Sequence, residues 1–256
     1  MKIGKHEIEI LVQGFPGKAQ HHGGLGWSTV VMIRHRDRIA LIDTGSFGMR
    51  ALLVDRLAKL GVKPSDVTDI LLTHAHHDHC VNWTLFRHAR IVLGAQELDA
   101  ALKDPWGETP TPELYVLKLK EWPSLFTVGN GEEVFPGITC YLTPGHTHGH
   151  LIFLLNAGEQ DVIFSGDAAK NRAELISRRA NMTLDAAVSS ASIETIWKFW
   201  QRRPGTILVP GHDVPMILDN GECRYIGERQ AGIVAWFGDN LRTTTTFRLT
   251  ANSDRS

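Results

Sequence analysis

Short apolar runs bounded by glycine, proline or charged residues recur along the chain and predict β-strands. In the first half these runs are residues 7–13, 29–33, 39–42, 69–72 and 90–93. In the second half they are residues 138–142, 151–155, 162–164 and 206–209. The pattern therefore predicts two successive groups of strands.

Helical spacing of apolar residues predicts helices over residues 49–60, 96–102, 184–200 and 222–237. Residues 104–124, which are rich in proline and tryptophan, predict a partly helical excursion that is either a lid over a site or a packed loop. Because each group of strands is followed by helices, we predict an α/β fold of two face-to-face sheets with helices outside. We expect one domain over residues 1–240 and a frayed polar tail over residues 241–256.

Composition excludes several classes of protein. The 256 residues carry 27 Lys+Arg against 28 Asp+Glu, a formal net charge of -1, which gives no general attraction to nucleic acid or anionic membranes. Cys80, Cys140 and Cys223 are too few and too far apart for a disulfide framework. The apolar runs are too short to span a bilayer, and residues 1–10 lack the apolar core of a signal peptide, so we expect a cytoplasmic protein.

Histidine supplies the first chemical signal, with 13 in the chain. The segment Thr73-His74-Ala75-His76-His77-Asp78-His79 directly follows a predicted strand. Imidazole and carboxylate groups are ligands that Zn²⁺, Fe²⁺ and Mn²⁺ accept. His74, His76, Asp78 and His79 stand too close together to surround one ion without strain, but two ions could share them.

Three further ligand-type residues each follow an apolar strand and a glycine. They are His146 after Gly145, Asp167 after Gly166 and His212 after Gly211. A glycine permits a tight turn at the end of a strand. We expect these loops and the histidine segment to converge on one edge of the sheets and form a metal site.

These motifs resemble those of the metallo-β-lactamase superfamily. The signature His-x-His-x-Asp-His corresponds to His74, His76, Asp78 and His79, and a motif of an aspartate and a glycine that ends a strand corresponds to residues 42–45. The resemblance implies an αββα sandwich of two mixed sheets with a two-metal site at one edge.

The resemblance also implies a role for each ligand. His74, His76 and His146 would hold the first ion, Asp78, His79 and His212 the second, and Asp167 would bridge the two. Two Zn²⁺ are the expected cofactors, with Fe²⁺ or Mn²⁺ as alternatives. A hydroxide shared by the ions would attack an electrophilic carbonyl. Asp78 would also act catalytically by orienting that hydroxide or accepting its proton, and Asp43 would support a ligand from behind.

The sequence around His146 resembles glyoxalase II and the acyl-homoserine lactonases, which implies hydrolysis of a small carbonyl ester, above all a lactone. Thioester or lactam and amide hydrolases of the same fold are alternatives, followed by a phosphodiesterase or nuclease and a mono-iron sulfur dioxygenase. The lactonase tyrosine three residues after the bridging aspartate is replaced here by Lys170. This difference argues against acyl-homoserine lactone itself as the substrate.

Substrate contacts follow less directly from the sequence. Lys170 could bind a carboxylate or an oxyanion, or it could be a solvated residue at a helix start. His22 lies in a glycine-rich loop that, by the resemblance, covers the metal edge, and Trp83 could form an apolar wall. We expect a small-molecule substrate, with no nucleic-acid or membrane partner. The oligomeric state is left open, and a homodimer is one option.

Overall fold

The computed structural model describes residues 1–158 and 160–250, which form strands and helices along most of their length. The strands are β1 (Lys2–Ile3), β2 (His6–Val12), β3 (Lys18–Ala19), β4 (Gly23–Gly24), β5 (Val30–His35), β6 (Arg38–Ile42), β7 (Asp69–Leu71), β8 (Arg90–Gly94), β9 (Leu125–Val128), β10 (Glu133–Phe135), β11 (Ile138–Leu142), β12 (Leu151–Asn156), β13 (Asp161–Gly166), β14 (Ile207–Pro210), β15 (Met216–Asp219), β16 (Glu222–Tyr225), β17 (Gly232–Ala235) and β18 (Thr245–Arg248). The α-helices are α1 (Arg50–Lys59), α2 (His77–Cys80), α3 (Ala95–Ala101), α4 (Glu113–Lys120), α5 (Arg172–Ser177) and α6 (Ala186–Arg202).

Two seven-stranded sheets organise the molecule. The first has the order β1-β2-β5-β6-β7-β8-β9 and the second the order β10-β11-β12-β13-β14-β15-β16. Both sheets are mixed, since β6, β7, β8 and β9 run parallel in the first and β13 and β14 run parallel in the second. Each sheet is therefore built from one half of the chain.

The alternation of side chains along the strands explains how the layers pack, because neighbouring residues point to opposite faces of a sheet. In β5, Val31 and Ile33 enter the core between the sheets, whereas Val30 and Met32 join the core under helix α1. In β12, Phe153 faces the other sheet and residues 152 and 154 pack beneath helix α6. Strands buried on both faces are what an αββα sandwich requires, and the predicted fold class is confirmed.

The C-terminal part of the chain corrects two predictions. The helix predicted over residues 222–237 is instead strand β16, paired with β15, followed by strand β17. Asn220 and Gly221 join β15 to β16 with φ values of 51° and 84°, the left-handed pair that a tight hairpin turn needs. Strand β18 pairs with β17, so residues 245–248 are not a frayed tail, whereas residues 251–256 lie outside the described residues. The prediction of one domain over residues 1–240 stays a prediction.

Within residues 1–158 and 160–250, no helix combines the length and the apolar character needed to cross a membrane. The longest helix, α6, buries one face that includes Ile193, Ile196, Trp197 and Trp200. Its predicted start is corrected from residue 184 to residue 186. The Asp185 side chain caps the helix by accepting from the N–H groups of residues 187 and 188, and Leu184 is exposed.

Candidate metal centre

Four loops that leave the two sheets at one edge bring all seven predicted metal ligands together. The loop after β7 and helix α2 carry His74, His76, Asp78 and His79. The loops that follow β11, β13 and β14 carry His146, Asp167 and His212 respectively. Each loop starts at the end of a strand that is paired on both sides within its sheet, which fixes its position relative to the others.

His74, His76 and His146 form the first cluster, in which one nitrogen of each ring lies within 4.8 Å of the others. Nε2 of His146 lies 3.0 Å from Nδ1 of His76. The His74 ring is fully buried. Three imidazole nitrogens at such distances can coordinate one divalent transition-metal ion together.

Asp78, His79 and His212 form the second cluster, again with ligand atoms within 4.8 Å of one another. Oδ2 of Asp78 lies 3.6 Å from Nε2 of His79 and 3.4 Å from Nε2 of His212. The two imidazole nitrogens are 3.4 Å apart. This cluster offers two nitrogens and one carboxylate oxygen.

The carboxylate of Asp167 lies between the two clusters. Its Oδ2 is 3.3 Å from Nε2 of His146, on the side of the first cluster. Its Oδ1 is 3.2 Å from Nε2 of both His79 and His212, on the side of the second. One oxygen towards each cluster is the arrangement that a bridging ligand requires.

The donor set fits divalent metal ions. Among the described residues, Nε2 of His74 is buried and has no hydrogen-bond partner, although an unpaired buried polar atom is costly. Its other nitrogen, Nδ1, lies 3.0 Å from the Thr73 hydroxyl. An ion in the first cluster would satisfy the unpaired nitrogen.

Hydrogen bonds to the ring nitrogens that face away from the clusters fix the orientation of two histidine ligands. Oδ2 of Asp43 lies 2.7 Å from Nδ1 of His79, which leaves Nε2 of that ring directed at the second cluster. The Met182 carbonyl lies 3.2 Å from Nδ1 of His146 and leaves its Nε2 for the first cluster. Such partners fix the tautomer and orientation of ligating histidines, and the position of Asp43 is the one that the sequence prediction requires.

His150 supports the position of Asp167. Its Nε2 accepts a hydrogen bond of 3.0 Å from the backbone N–H of Asp167. Because Nε2 is then the unprotonated nitrogen, Nδ1 carries the proton and donates to the Thr143 hydroxyl, 3.2 Å away. The buried ring therefore fixes the backbone from which Asp167 projects.

Glycine precedes the ligands for two different reasons. Gly166 has a φ of 48°, a left-handed conformation that glycine adopts with little strain. A Cβ on Gly211 would overlap Oδ1 of Asp167, so the chain can pass this close to the carboxylate only where no side chain exists. The strand-glycine-ligand pattern in the sequence thus has a steric cause.

The pKa values of the ligands separate into two groups. Burial, reinforced by neighbouring histidines, lowers the pKa of His74 well below its usual value, and burial lowers the pKa of His76 to about 4. Although burial works against it, the carboxylates of Asp167, Asp78 and Asp43 raise the pKa of His79 well above its usual value. The pKa of Asp167 is held well below its usual range by His212, His79 and His146, against the opposing effect of burial. The lowered pKa values keep His74 and His76 of the first cluster neutral, which is the form that binds metal. In the second cluster, nearby carboxylates instead favour the charged form of the His79 imidazole.

A cleft of about 1030 Å³ opens over both clusters. Asp78, whose side chain is 20% exposed, reaches it from the metal side. The hairpin of strands β3 and β4 lines it through Lys18, Gly23 and Gly24, and residues 108–110 and 182–184 line it elsewhere. The excursion over residues 104–124 therefore contributes to the wall of the cleft and also contains helix α4.

The three predicted substrate contacts are placed differently. Lys170 lines the cleft, but its ammonium lies 3.1 Å from Oε1 of the buried Glu174 and its side chain is only 12% exposed. His22 is exposed at the tip of the β3–β4 hairpin, next to Gly23 rather than in the lining of the cleft. A substrate contact of Lys170 or of His22 stays a prediction.

The structure corrects the prediction that Trp83 lines the substrate site. Its side chain is 2% exposed and belongs to the core beneath the first sheet, where it packs 5.1 Å from the Trp122 ring. It does not line the cleft. An apolar aromatic ring released more free energy by joining this core than it could by facing solvent in a loop.

Glu97 lines the cleft beside the metal clusters and is buried, and sequence reasoning did not single it out. Its carboxylate accepts hydrogen bonds from Ala75, Thr147 and Gly149. These partners lie 22, 50 and 52 positions away along the chain. No local sequence pattern records such contacts, and in the sequence Glu97 resembles an ordinary solvated residue of a short helix.

Residues 23–212 match the family model of the metallo-beta-lactamase superfamily. The match covers well over half of the chain, and it includes all seven ligands. The chain belongs to the metallo-beta-lactamase superfamily. Membership of this superfamily of metallohydrolases, together with the clusters of His and Asp ligands, makes the protein a hydrolase that binds divalent metal ions.

Individual superfamily members resemble the chain only distantly. "Metallo-beta-lactamase domain-containing protein 1" of Xenopus laevis is 26% identical over 220 residues, which cover 85% of this chain and 84% of that protein. An N-acyl homoserine lactonase of Bacillus thuringiensis is 25% identical over 166 residues, and the match spans only 62% of its length. The solved structure of a variant of the B. thuringiensis protein AiiA with N-decanoyl-L-homoserine bound has a TM-score of 0.66 at 19% identity, and covers 84% of this chain and 95% of that one. At this identity the structure supports the shared fold alone.

Proposed function

We propose that this metallohydrolase opens a small carbonyl ester, above all a lactone, with two divalent cations, and that zinc is the metal. The position of Asp167 carries the proposal, because its two oxygens lie 3.2–3.3 Å from imidazole nitrogens of both clusters. A carboxylate in that position suits two ions rather than one. The similarity to the B. thuringiensis lactonase supports the choice of substrate class.

The protein residues divide the work. His74, His76 and His146 would hold one cation, Asp78, His79 and His212 the other, and Asp167 both. Such a pair, when bound, lowers the pKa of water, polarises a carbonyl oxygen and stabilises the charge that develops on it.

Asp78 is the residue that we assign to proton handling. Its carboxylate belongs to the second cluster and is also partly exposed to the cleft, so it can orient an attacking water and accept its proton. Lys18 and Lys170 are the lysines of the cleft wall. The wall also includes apolar residues such as Pro16, Pro110 and Met182, which suits an acyl group beside the ester.

The decisive experiment measures turnover on a panel of N-acyl homoserine lactones, simple lactones, aryl esters, thioesters and β-lactams. We expect lactone or ester turnover that a chelator abolishes and that two equivalents of Zn²⁺ restore. His146→Ala should remove this activity. His88→Ala is the matched control, since His88 is exposed, does not line the cleft and belongs to neither cluster.

The other outcomes identify the alternatives. Preferential thioester or β-lactam turnover would move the assignment to those substrates, and salt-sensitive cleavage of RNA or of a phosphodiester would move it to a nuclease. Iron at one equivalent per chain after purification without added metal would favour a dioxygenase. No chelator-sensitive turnover on any ester of the panel would refute the proposal.

The setting of the reaction is part of the proposal. We propose a freely diffusing small-molecule substrate, supported by the formal net charge of -1, and a cytoplasmic location. Cell fractionation with an antibody against the chain tests the location, and sedimentation tests whether the protein is a homodimer.

A further inference from the structure

Glu97 is a buried carboxylate that the chemistry proposed above does not use. It lies in helix α3, on the first half of the chain, with only 2% of its surface exposed. Its Oε1 accepts a hydrogen bond of 2.8 Å from the backbone N–H of Ala75. Its Oε2 accepts bonds of 2.6 Å from the Thr147 hydroxyl and of 3.0 Å from the N–H of Gly149.

Two of the three donors to Glu97 are direct neighbours of first-cluster ligands along the chain. Ala75 stands between His74 and His76, and Thr147 directly follows His146. Glu97 is therefore hydrogen-bonded beside all three ligands of the first cluster. Because the ligands come from the two different sheets, the carboxylate also connects one sheet's loop to the other's.

The packing around Glu97 is equally close. A Cβ added to Gly149 would overlap the backbone N of Glu97, so the loop after β11 lies directly against helix α3. Three of the roughly four lone-pair sites of the carboxylate accept hydrogen bonds from the chain itself. These contacts favour a role in holding the loops over a role in proton transfer.

We propose that Glu97 is a positioning residue that sets the geometry of the first metal cluster through the backbone on either side of its ligands. The inference rests on the metal site of the proposed function, but not on its substrate. A carboxylate is required because three donors converge on two oxygens. Glutamine, which has the same shape, would place its NH₂ group against at least one N–H.

The proposal predicts an asymmetric effect on the two ions. Among the described residues, no donor to the Glu97 carboxylate directly precedes or follows Asp78, His79 or His212 along the chain. Glu97→Gln should therefore weaken the ion held by the first cluster and leave the ion held by the second nearly unchanged. Loss of an outer hydrogen-bonding partner typically lowers metal affinity by about 10–100-fold.

Variants in which only one of the two clusters is intact make the test specific. His212→Ala impairs the second cluster, and His146→Ala impairs the first. Glu97→Gln is added to each, and Zn²⁺ affinity is measured by competition with a chromogenic chelator. The d–d absorption spectrum of bound Co²⁺ gives a second readout of ligand geometry.

We expect Glu97→Gln to lower Zn²⁺ affinity by about tenfold or more in the His212→Ala background, with a changed Co²⁺ spectrum, and by less than about threefold in the His146→Ala background. Equal losses in both backgrounds, or no loss in either, would overturn the proposal. Because no substrate is used, a chain that binds ions but hydrolyses no ester would refute the proposed function alone. A wild-type chain that binds no ion would overturn both.

A matched control separates positioning from stability. Asp161 is also a buried carboxylate, paired with Arg203, but it lies at the opposite end of β13 from Asp167. Asp161→Asn should lower the melting temperature and leave both affinities unchanged. If Glu97→Gln does not fold, Thr147→Val removes one of the three donors, and a loss of a few-fold confined to the His212→Ala background is expected. An unchanged affinity in Thr147→Val would then count against the proposal.

Discussion

Oδ2 of Asp43 lies 2.7 Å from Nδ1 of His79, and both side chains are almost completely buried. The same carboxylate accepts the backbone N–H and the hydroxyl of Thr73. Thr73 directly precedes His74, so one aspartate at the end of β6 connects a ligand of each cluster. Asp43 has a φ of 56°, and these contacts offset the strain of that conformation.

Asp43→Asn should weaken metal binding. Asparagine has one acceptor oxygen where the aspartate has two, so its NH₂ group must face either the N–H of Thr73 or the Nδ1–H of His79. We expect Zn²⁺ affinity to fall by about 10–100-fold, measured by chelator competition. Asp69→Asn is the control, because Asp69 is equally buried but pairs with Arg38 and Arg90 at the far end of β7. Equal losses of affinity in the two variants would contradict the prediction.

Asp78→Asn should abolish hydrolysis without unfolding the protein. The carboxylate is 20% exposed and faces the cleft, so its removal opens no cavity in the core. Loss of a positioned acid or base lowers rates by about 10²–10⁴-fold, and loss of a metal ligand adds to this effect. Turnover and circular dichroism of the variant check both parts. His88→Ala, at an exposed position outside the lining of the cleft, should retain activity, and similar losses in both variants would count against the assignment.

The stability of the metal-free protein should depend on pH through His150. Burial, the largest effect, lowers the pKa of His150 to about 3, whereas in the unfolded chain it is about 6.5. The folded ring therefore stays neutral while the unfolded ring takes up a proton as the pH falls. Stability that is present above pH 6.5 is consequently lost towards pH 3. The charged or titratable neighbours that act on this pKa are Asp167, which raises it, and His79, His76 and Lys170, which lower it.

His150→Gln isolates this contribution, because glutamine can still accept from the N–H of Asp167 but does not titrate. The difference in free energy of unfolding between wild type and variant should shrink by about 1 kcal/mol between pH 6.5 and 5.5. Between pH 7.5 and 6.5 it should change far less. Urea unfolding of both chelator-treated proteins at the three pH values tests this. A difference that stays constant or grows as the pH falls would contradict it.

Lys170→Met should act on stability more than on substrate binding. The ammonium of Lys170 pairs with buried Glu174, whose carboxylate also accepts from the N–H groups of residues 170 and 181. Breaking a largely buried pair leaves an uncompensated charge, so we expect the free energy of unfolding to fall by about 1–3 kcal/mol. Lys18→Met, at an exposed position of the same cleft, should leave it unchanged. A KM that rises more than about tenfold in Lys170→Met, with stability unchanged, would instead assign Lys170 to the substrate.

The convergence of the seven candidate ligands could be predicted because each of them stands at or near the end of an apolar strand, often after a glycine. Gly166 is required by its left-handed φ, and Gly211 by its contact with Asp167. Both glycines can be read directly from the sequence. The positions of the central strands also followed from the sequence pattern, since residues such as Val31 and Met32 alternate between two cores. Local patterns therefore account for the fold and for the edge at which the site lies.

The remaining features depend on partners that are distant along the chain. Glu97 is fixed by donors 22, 50 and 52 residues away, and Trp83 is buried by the tryptophan at position 122. The hairpin at residues 216–225 is a different kind of error. Its Asn220-Gly221 pair is a strong turn signal, and the helical spacing assigned to residues 222–237 overrode it.

Along the described strands, the chain crosses from one seven-stranded sheet to the other once, at the exposed residues 129–132 between β9 and β10. A cut there would give two fragments, each with a complete seven-stranded sheet. One fragment would carry His74, His76, Asp78 and His79, and the other His146, Asp167 and His212, so neither cluster would be complete in a single fragment. The core between the sheets would draw the two pieces together, and ions held by residues of both would stabilise the joined form further. The fold would then serve as a split reporter whose complementation strengthens with free divalent metal.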